Sequence, residues 1–166
     1  VAILTGELNT SKRKALAMLT EVFSIPMSLG GPSNCEGKVA DILQQPHDEA
    51  AEHTRERDIA HADETGWPRG NRQKGWLWAF CCSTAAFFIV HANRNQQAAR
   101  KLVGGFAGKL VTDRYGAYNF YELIRQICWA HLKRDFKAVS ESKGELGKIG
   151  EELHGLAKKI LKMRKR

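Results

Sequence analysis

Trp76-Leu77-Trp78-Ala79-Phe80-Cys81-Cys82-Ser83-Thr84-Ala85-Ala86-Phe87-Phe88-Ile89-Val90-His91 is the stretch on which the fold turns. From 76 to 90 it runs 15 residues without a charge. A membrane-spanning helix needs about 20 apolar residues, and Ser83 and Thr84 interrupt this run, so it does not span a bilayer. The aromatic and β-branched side chains around the break instead predict two strands, 76–82 and 85–91. Both are apolar on two faces, as at the centre of a covered sheet.

The flanking segments complete a sheet. Residues 59–63 predict a short strand, followed by a loop rich in Gly66, Pro68, Gly70 and Gly75. After His91, a helix from Asn95 carries Ala98, Ala99, Leu102, Val103 and Phe106 on one side and stops near Gly108. Residues 110–113 predict a fourth strand, 124–129 a fifth, and the chain from His131 onward is helical and basic. The first three strands form an antiparallel meander, so the first and third run the same way. A helical crossover then makes the fourth parallel to the first. Asp63 and Asp113 therefore close strands that leave the sheet at one edge, with neighbouring backbones about 5 Å apart. Two such carboxylates suit a hard divalent cation, Mg²⁺ or Mn²⁺. Aspartate is also common where strands stop, so both can be plain strand-end residues facing solvent.

The first third of the chain is helical. Ser11 caps a helix through Phe23, and Pro26 with Gly30-Gly31-Pro32 breaks it. Ser33-Asn34-Cys35-Glu36 fits a capping box opening a second helix with Val39, Ile42 and Leu43 as its stripe. Pro46 opens a third helix carrying Asp48, Glu49, Glu52 and Glu56. The 166 residues are 43% hydrophobic, which excludes wholesale disorder, collagen and a disulfide-dense miniprotein. Lys and Arg number 26 against 18 acids, a net charge of +8. Four scattered cysteines and no visible signal peptide point to a reducing cytoplasm. Val1 at the start and a basic run at the end lead us to expect a piece of a longer protein.

Three blocks carry a resemblance. His61-Ala62-Asp63-Glu64-Thr65-Gly66-Trp67, Thr112-Asp113-Arg114-Tyr115-Gly116-Ala117-Tyr118 and Cys128-Trp129-Ala130-His131-Leu132-Lys133-Arg134-Asp135-Phe136 resemble signature blocks of bacterial insertion-sequence transposases. They are similar in particular to insertion-sequence family sixty-six, a DDE transposase family. The stretch from Ser11 through Ile25, Pro26 and Gly30 is similar to the family's segment ahead of its core. The resemblance implies an α/β, RNase H-like fold: a mixed sheet of an antiparallel three-strand meander plus parallel strands, with flanking helices and an N-terminal helical segment. It divides the chain into a helical lead-in, 1–57, a partial catalytic core, 58–136, and a basic helical segment, 137–166, that starts an insertion.

It also implies a triad of two Asp and one Glu binding two metal ions, Mg²⁺ or Mn²⁺, with Asp63 and Asp113 as the first two acids. In the family the third acid follows a helical insertion, inside an Asn-rich Glu-Arg motif. No such motif occurs before Arg166, and none of Glu141, Glu145, Glu151 and Glu152 is assigned that role. The implied reaction frees a 3′ hydroxyl at a transposon end, and that hydroxyl then attacks target DNA. Implied partners are end and target DNA and further copies of the chain assembled on it, in the bacterial cytoplasm at the nucleoid and away from membranes. Without the third acid the segment is expected to cut DNA poorly or not at all. The alternative is a catalytically inactive, DNA-binding remnant of a transposase.

Candidate DNA contacts are Arg69, Arg72 and Lys74, between Trp67 and Trp76, and Arg114, His131, Lys133 and Arg134. Basic side chains neutralise phosphates and an aromatic supports a displaced base; the 66–75 loop also reads as a solvated hairpin with two core tryptophans. Cys128 and His131 have the spacing of half a zinc site but lack convincing further ligands, which favours packing. The resemblance places His131 near the active edge, contacting the phosphate or the metal-bound water. Cys81 and Cys82 are read as small apolar fillers on opposite faces of a strand. Glu64 points away from Asp63's face and is a weak alternative ligand. Gly104-Gly105-Phe106-Ala107-Gly108-Lys109 is no phosphate loop, because Val103 and Leu110 stand where Gly and Ser or Thr are needed.

Overall fold

The computed structural model describes residues 1–69 and 73–163, with Arg69 described by its backbone alone, and the predicted contact Arg72 lies outside the described residues. The chain divides into two compact units, Val1–Glu49 and Ala50–Arg166.

In the first unit a π-helical turn, Ile3–Glu7, precedes helix α1, Lys12–Glu21. Ser11 caps α1 as expected, its hydroxyl accepting from the Lys14 amide at 3.3 Å. Lys12 in turn donates to Ser33 and ion-pairs with Glu36 at 2.6 Å. The Lys12 hydrogen bond, and then one from Thr5, hold the Glu36 carboxyl below its usual range. Ser33 and Glu36 therefore do not form a capping box. Helix α2, Gly31–Arg55, whose residues from Ala50 on belong to the second unit, starts two residues earlier, with Pro32 in the first turn, where a missing N–H costs little.

Nor does Pro46 open a third helix, for α2 runs straight through it for 25 residues. Proline removes one backbone bond, but Gln44–Asp48 and Gln45–Glu49 hydrogen bonds, each 2.8 Å, straddle the gap one turn apart. Such pairs add about 0.2–0.5 kcal/mol each. The predicted stripe does not face a core: Ile42 and Leu43 are 73% and 55% exposed.

The second unit holds a five-stranded sheet in the order β3-β2-β1-β4-β5. Its strands are β1 (Ile59–Arg69), β2 (Gln73–Cys81), β3 (Ala86–His91), β4 (Lys109–Thr112) and β5 (Arg125–Ile127). β1–β2 and β2–β3 pair antiparallel, while β1–β4 and β4–β5 pair parallel. This is the mixed α/β sheet, an antiparallel meander plus parallel strands, that the topology argument predicts. Helix α3, Gln96–Val103, makes the crossover, with the Asn95 side chain accepting from Ala98 N at 3.0 Å. α3 ends at Gly104, whose φ of +56° suits glycine, and not near Gly108. Phe106, expected on the helix, instead meets Phe80 edge-on in the core, 5.3 Å between ring centres.

Three strand expectations need correction. β1 does not stop at Asp63: it continues to Arg69 because residues 64–69 pair with 73–78 of β2, turning the predicted loop into a hairpin arm. β3 is an outer strand covered on one face only, so Phe87 is buried while Phe88 and Val90 are 49% and 54% exposed. The fifth strand spans three residues, since helix α4 (Trp129–Ser140) already begins at Trp129. The buried face carries Ala60, Ala62, Trp78, Phe80 and Leu110 against Ala98, Leu102 and Val103 of α3. Helix α5, Glu145–Met163, packs back on α4. Among the described residues no helix is long and apolar enough to cross a membrane.

Candidate metal centre

The strands part where the chemistry gathers. β4 leaves β1 after the His61–Val111 pair, whereas β1 continues alongside β2. Asp63 thus lies two residues past the last β4 partner, and Asp113 is the first residue after β4. The Cys128 amide donates to the Thr112 carbonyl at 2.7 Å, which starts α4 beside Asp113 and places His131 in its first turn. One ligand atom from each of Asp63, Asp113 and His131 lies within 4.8 Å of the other two. His131 Nε2 is 3.9 Å from Asp63 Oδ2. The Asp63 side chain is 59% exposed and that of His131 25%, so the cluster opens to solvent on the Asp63 side.

Backbone amides orient the carboxylates. Asp63 Oδ1 accepts from Glu64 N at 2.9 Å, and Asp113 Oδ1 accepts from Tyr115 N at 2.8 Å. Beneath Asp113, Arg125 donates to Thr112 Oγ1, to Asn119 Oδ1 and to the carbonyls of Asp113 and Tyr115, at 2.8–3.2 Å. On the opposite face of β1, the Glu64 side chain has zero exposure. Arg94 donates to its Oε1 from Nη2 at 2.8 Å and Nε at 2.9 Å, and the Tyr118 hydroxyl donates to Oε2 at 2.7 Å. Burial, followed by that hydrogen bond, pushes the Tyr118 hydroxyl far above the usual phenol range, so it remains a donor.

A divalent cation fits these residues. Close carboxylates repel each other unless a cation or a proton intervenes. Among the described residues no Lys or Arg ion-pairs with Asp63 or Asp113, and Arg114 pairs with Asp135 at 3.0 Å instead. His131 Nδ1 is buried without a hydrogen-bond partner. Two carboxylates and one imidazole are oxygen-rich donors of the type that Mn²⁺ or Mg²⁺ takes.

The other predicted contacts are dispersed. Lys74 is exposed on the hairpin arm opposite Pro68, five residues and about 17 Å along β1 from Asp63. Lys133 and Arg134 line a cleft of about 260 Å³ together with Lys137 and His154, two residues the sequence reading did not single out. Burial and then the positive field of Lys158, Lys133 and Lys137 hold His154 below the usual imidazole range. Arg94 and Arg125 were also missed, and Glu64, weighed only as an alternative ligand, is instead held by Arg94 and Tyr118. Glu64 carries only the alternation signal that turns it away from Asp63, and Arg94 stands in a turn with no periodicity to mark it.

The mixed α/β sheet thus gathers two carboxylates and an imidazole where β1 and β4 part. The chain belongs to the IS66 transposase family, whose model (Transposase IS66 family) matches residues 14–165. It is 29% identical over 125 residues to uncharacterized protein y4qI of Sinorhizobium fredii, a match covering 60% of this chain and 23% of that protein. The chain thus spans about a quarter of the length of that curated relative. Among solved structures it is similar to the HTLV-2 integrase catalytic core domain in complex with magnesium (dimeric form), with 14% identity and a TM-score of 0.32 over 49% of this chain and 68% of that one.

Proposed function

We propose that this chain is the central part of a DNA transposase that hydrolyses and transfers phosphodiester bonds at transposon ends, with Asp63 and Asp113 as two of its catalytic acids. One observation carries the reading: Asp63, Asp113 and His131, from three separate stretches of the sequence, converge within 4.8 Å. Two divalent cations, Mg²⁺ or Mn²⁺, would neutralise the reacting phosphate and promote both the attacking and the leaving oxygen. Asp63 and Asp113 supply the anionic ligands, and the partly buried His131 imidazole orients towards the same point. Hydrolysis and strand transfer are both in-line displacements at phosphorus, so one carboxylate pair serves each.

Lys133, Arg134 and Lys137, together with Lys74 and the rest of the hairpin arm, would take backbone phosphates of end and target DNA. Arg114 is held by Asp135 and would join them only on releasing that exposed pair. Residues 58–136 form the catalytic part in this reading, 1–57 its lead-in and 137–166 the beginning of an insertion. Copies assemble on DNA, at the nucleoid of a bacterial cytoplasm.

The test is cleavage of end-containing DNA by the full parent protein with Mn²⁺. Asp63→Asn and Asp113→Asn are expected to lower cleavage by roughly a hundredfold or more, since each removes several kcal/mol of metal-assisted stabilisation. DNA binding measured by anisotropy should persist in both. Unchanged cutting overturns the assignment, and a parent protein that binds ends but never cuts them is the inactive remnant.

A further inference from the structure

We infer that Glu64 and Arg94 are positioning residues: the ion pair of the buried Glu64 carboxylate with Arg94, stacked on Tyr115, sets the spacing of Asp63 and Asp113. The inference rests on the metal-site reading above. Beyond His61, β1 has no ladder bonds to β4, so backbone pairing does not fix Asp63 relative to Asp113. The ion pair does. Glu64 follows Asp63 and points to the other face, so holding its carboxylate fixes the roll of β1 at Asp63.

Both Glu64 oxygens are held, Oε1 by Arg94 and Oε2 by Tyr118, a residue nine-tenths or more buried. The Arg94 guanidinium lies 4.0 Å from the Tyr115 ring centre and 5.1 Å from that of Trp76. The Tyr115 hydroxyl donates to the Arg94 carbonyl at 2.7 Å, and its amide holds Asp113 Oδ1 at 2.8 Å. A continuous set of contacts therefore runs from β1 through Arg94 and Tyr115 to the second aspartate. An ion pair with one partner exposed, as Arg94 is, adds little stability by itself. What it adds here is direction: a planar guanidinium meets one carboxylate in a fixed orientation and stacks on a ring.

The experiment is Mn²⁺ titration of the full chain by electron paramagnetic resonance, with circular dichroism and thermal unfolding on the same samples. Arg94→Gln is expected to weaken Mn²⁺ binding about tenfold or more, the range for partners behind metal ligands, with the folded spectrum retained. Arg94→Lys should restore only part of the affinity, because it keeps charge without the fork or the stack. Should Arg94→Gln fail to fold, Tyr115→Phe loses one hydroxyl bond and should weaken binding roughly threefold.

Unaltered Mn²⁺ affinity in folded Arg94→Gln, or in Tyr115→Phe, overturns the positioning role provided that Asp63→Asn loses affinity in the same assay. Lack of Mn²⁺ binding by the unsubstituted chain overturns the metal-site reading, and the inference with it.

Discussion

Cys82 shows how local hydrogen bonds reset a side chain that composition alone would call inert. It lies just past β2, where its Sγ accepts from Ala85 N at 3.3 Å and meets Thr84 Oγ1 at 3.4 Å. Burial works to raise its thiol, but hydrogen bonds from Thr84, Ala85 and Thr54 outweigh it and bring the pKa down to about 7. Cys81 shifts the other way, raised by burial and then by its neighbours Cys82 and Asp63. The two are thus not equivalent fillers. Alkylation by iodoacetamide, followed by peptide mass spectrometry across pH, should modify Cys82 first with a midpoint near pH 7, because the thiolate is the reactive form. Cys81 should need alkaline solution, and equal rates at neutral pH would contradict this. Since the folded pKa is depressed, the stability linked to Cys82 is present above the unfolded thiol's pKa and is lost as pH falls through about 7. Residue types alone carried part of the metal cluster: Asp63 and Asp113 stand out in the sequence, while the orientation of each carboxylate depends on amides and on Arg94 and Arg125, which no local pattern reveals.

At the scale of elements, the α4–α5 pair depends on a close approach. A Cβ at Gly150 would lie 2.3 Å from Ser140 N and 2.6 Å from the Val139 carbonyl carbon, both rigid backbone. Gly150→Ala should therefore destabilise the chain by about 1–3 kcal/mol, the usual cost of overpacking. Gly155, on the same helix, has nothing within 4 Å of its would-be Cβ. Gly155→Ala should stabilise by about 0.5–1 kcal/mol through helix propensity. Thermal unfolding of both variants checks the pair, and a shift of the same sign in both would refute the packing argument. Elements with period and caps were legible in the sequence: α1 from Ser11, α3 from Asn95, and the strands around 76–91. Pro46 misled because proline was weighed alone, without the paired Gln44–Asp48 and Gln45–Glu49 bonds that bridge it. β1 misled because Gly66 and Pro68 signal a turn, whereas β2 offers them an antiparallel partner.

Over the whole molecule, topology brings distant residues together. Antiparallel β1–β2–β3 followed by one helical crossover leaves β4 beside β1 and parallel to it, which follows from strand handedness and loop rules. That much was derivable from the sequence, and it put Asp63 and Asp113 on one edge. The third member of the cluster, His131, could not be placed that way, since its position depends on β5 ending after three residues and α4 starting at Trp129. The net charge of +8 accords with a polyanionic substrate, but its distribution, with Lys133, Arg134, Lys137 and His154 around one cleft, emerges only when α4 and α5 pack. The most direct measurement is anomalous diffraction at the manganese edge from crystals of this chain soaked in Mn²⁺. An anomalous peak roughly 2.1 Å from carboxylate oxygens of both Asp63 and Asp113 is expected, absent from Asp113→Asn crystals; a fully soaked crystal with no peak between those two side chains would contradict the metal-dependent reading.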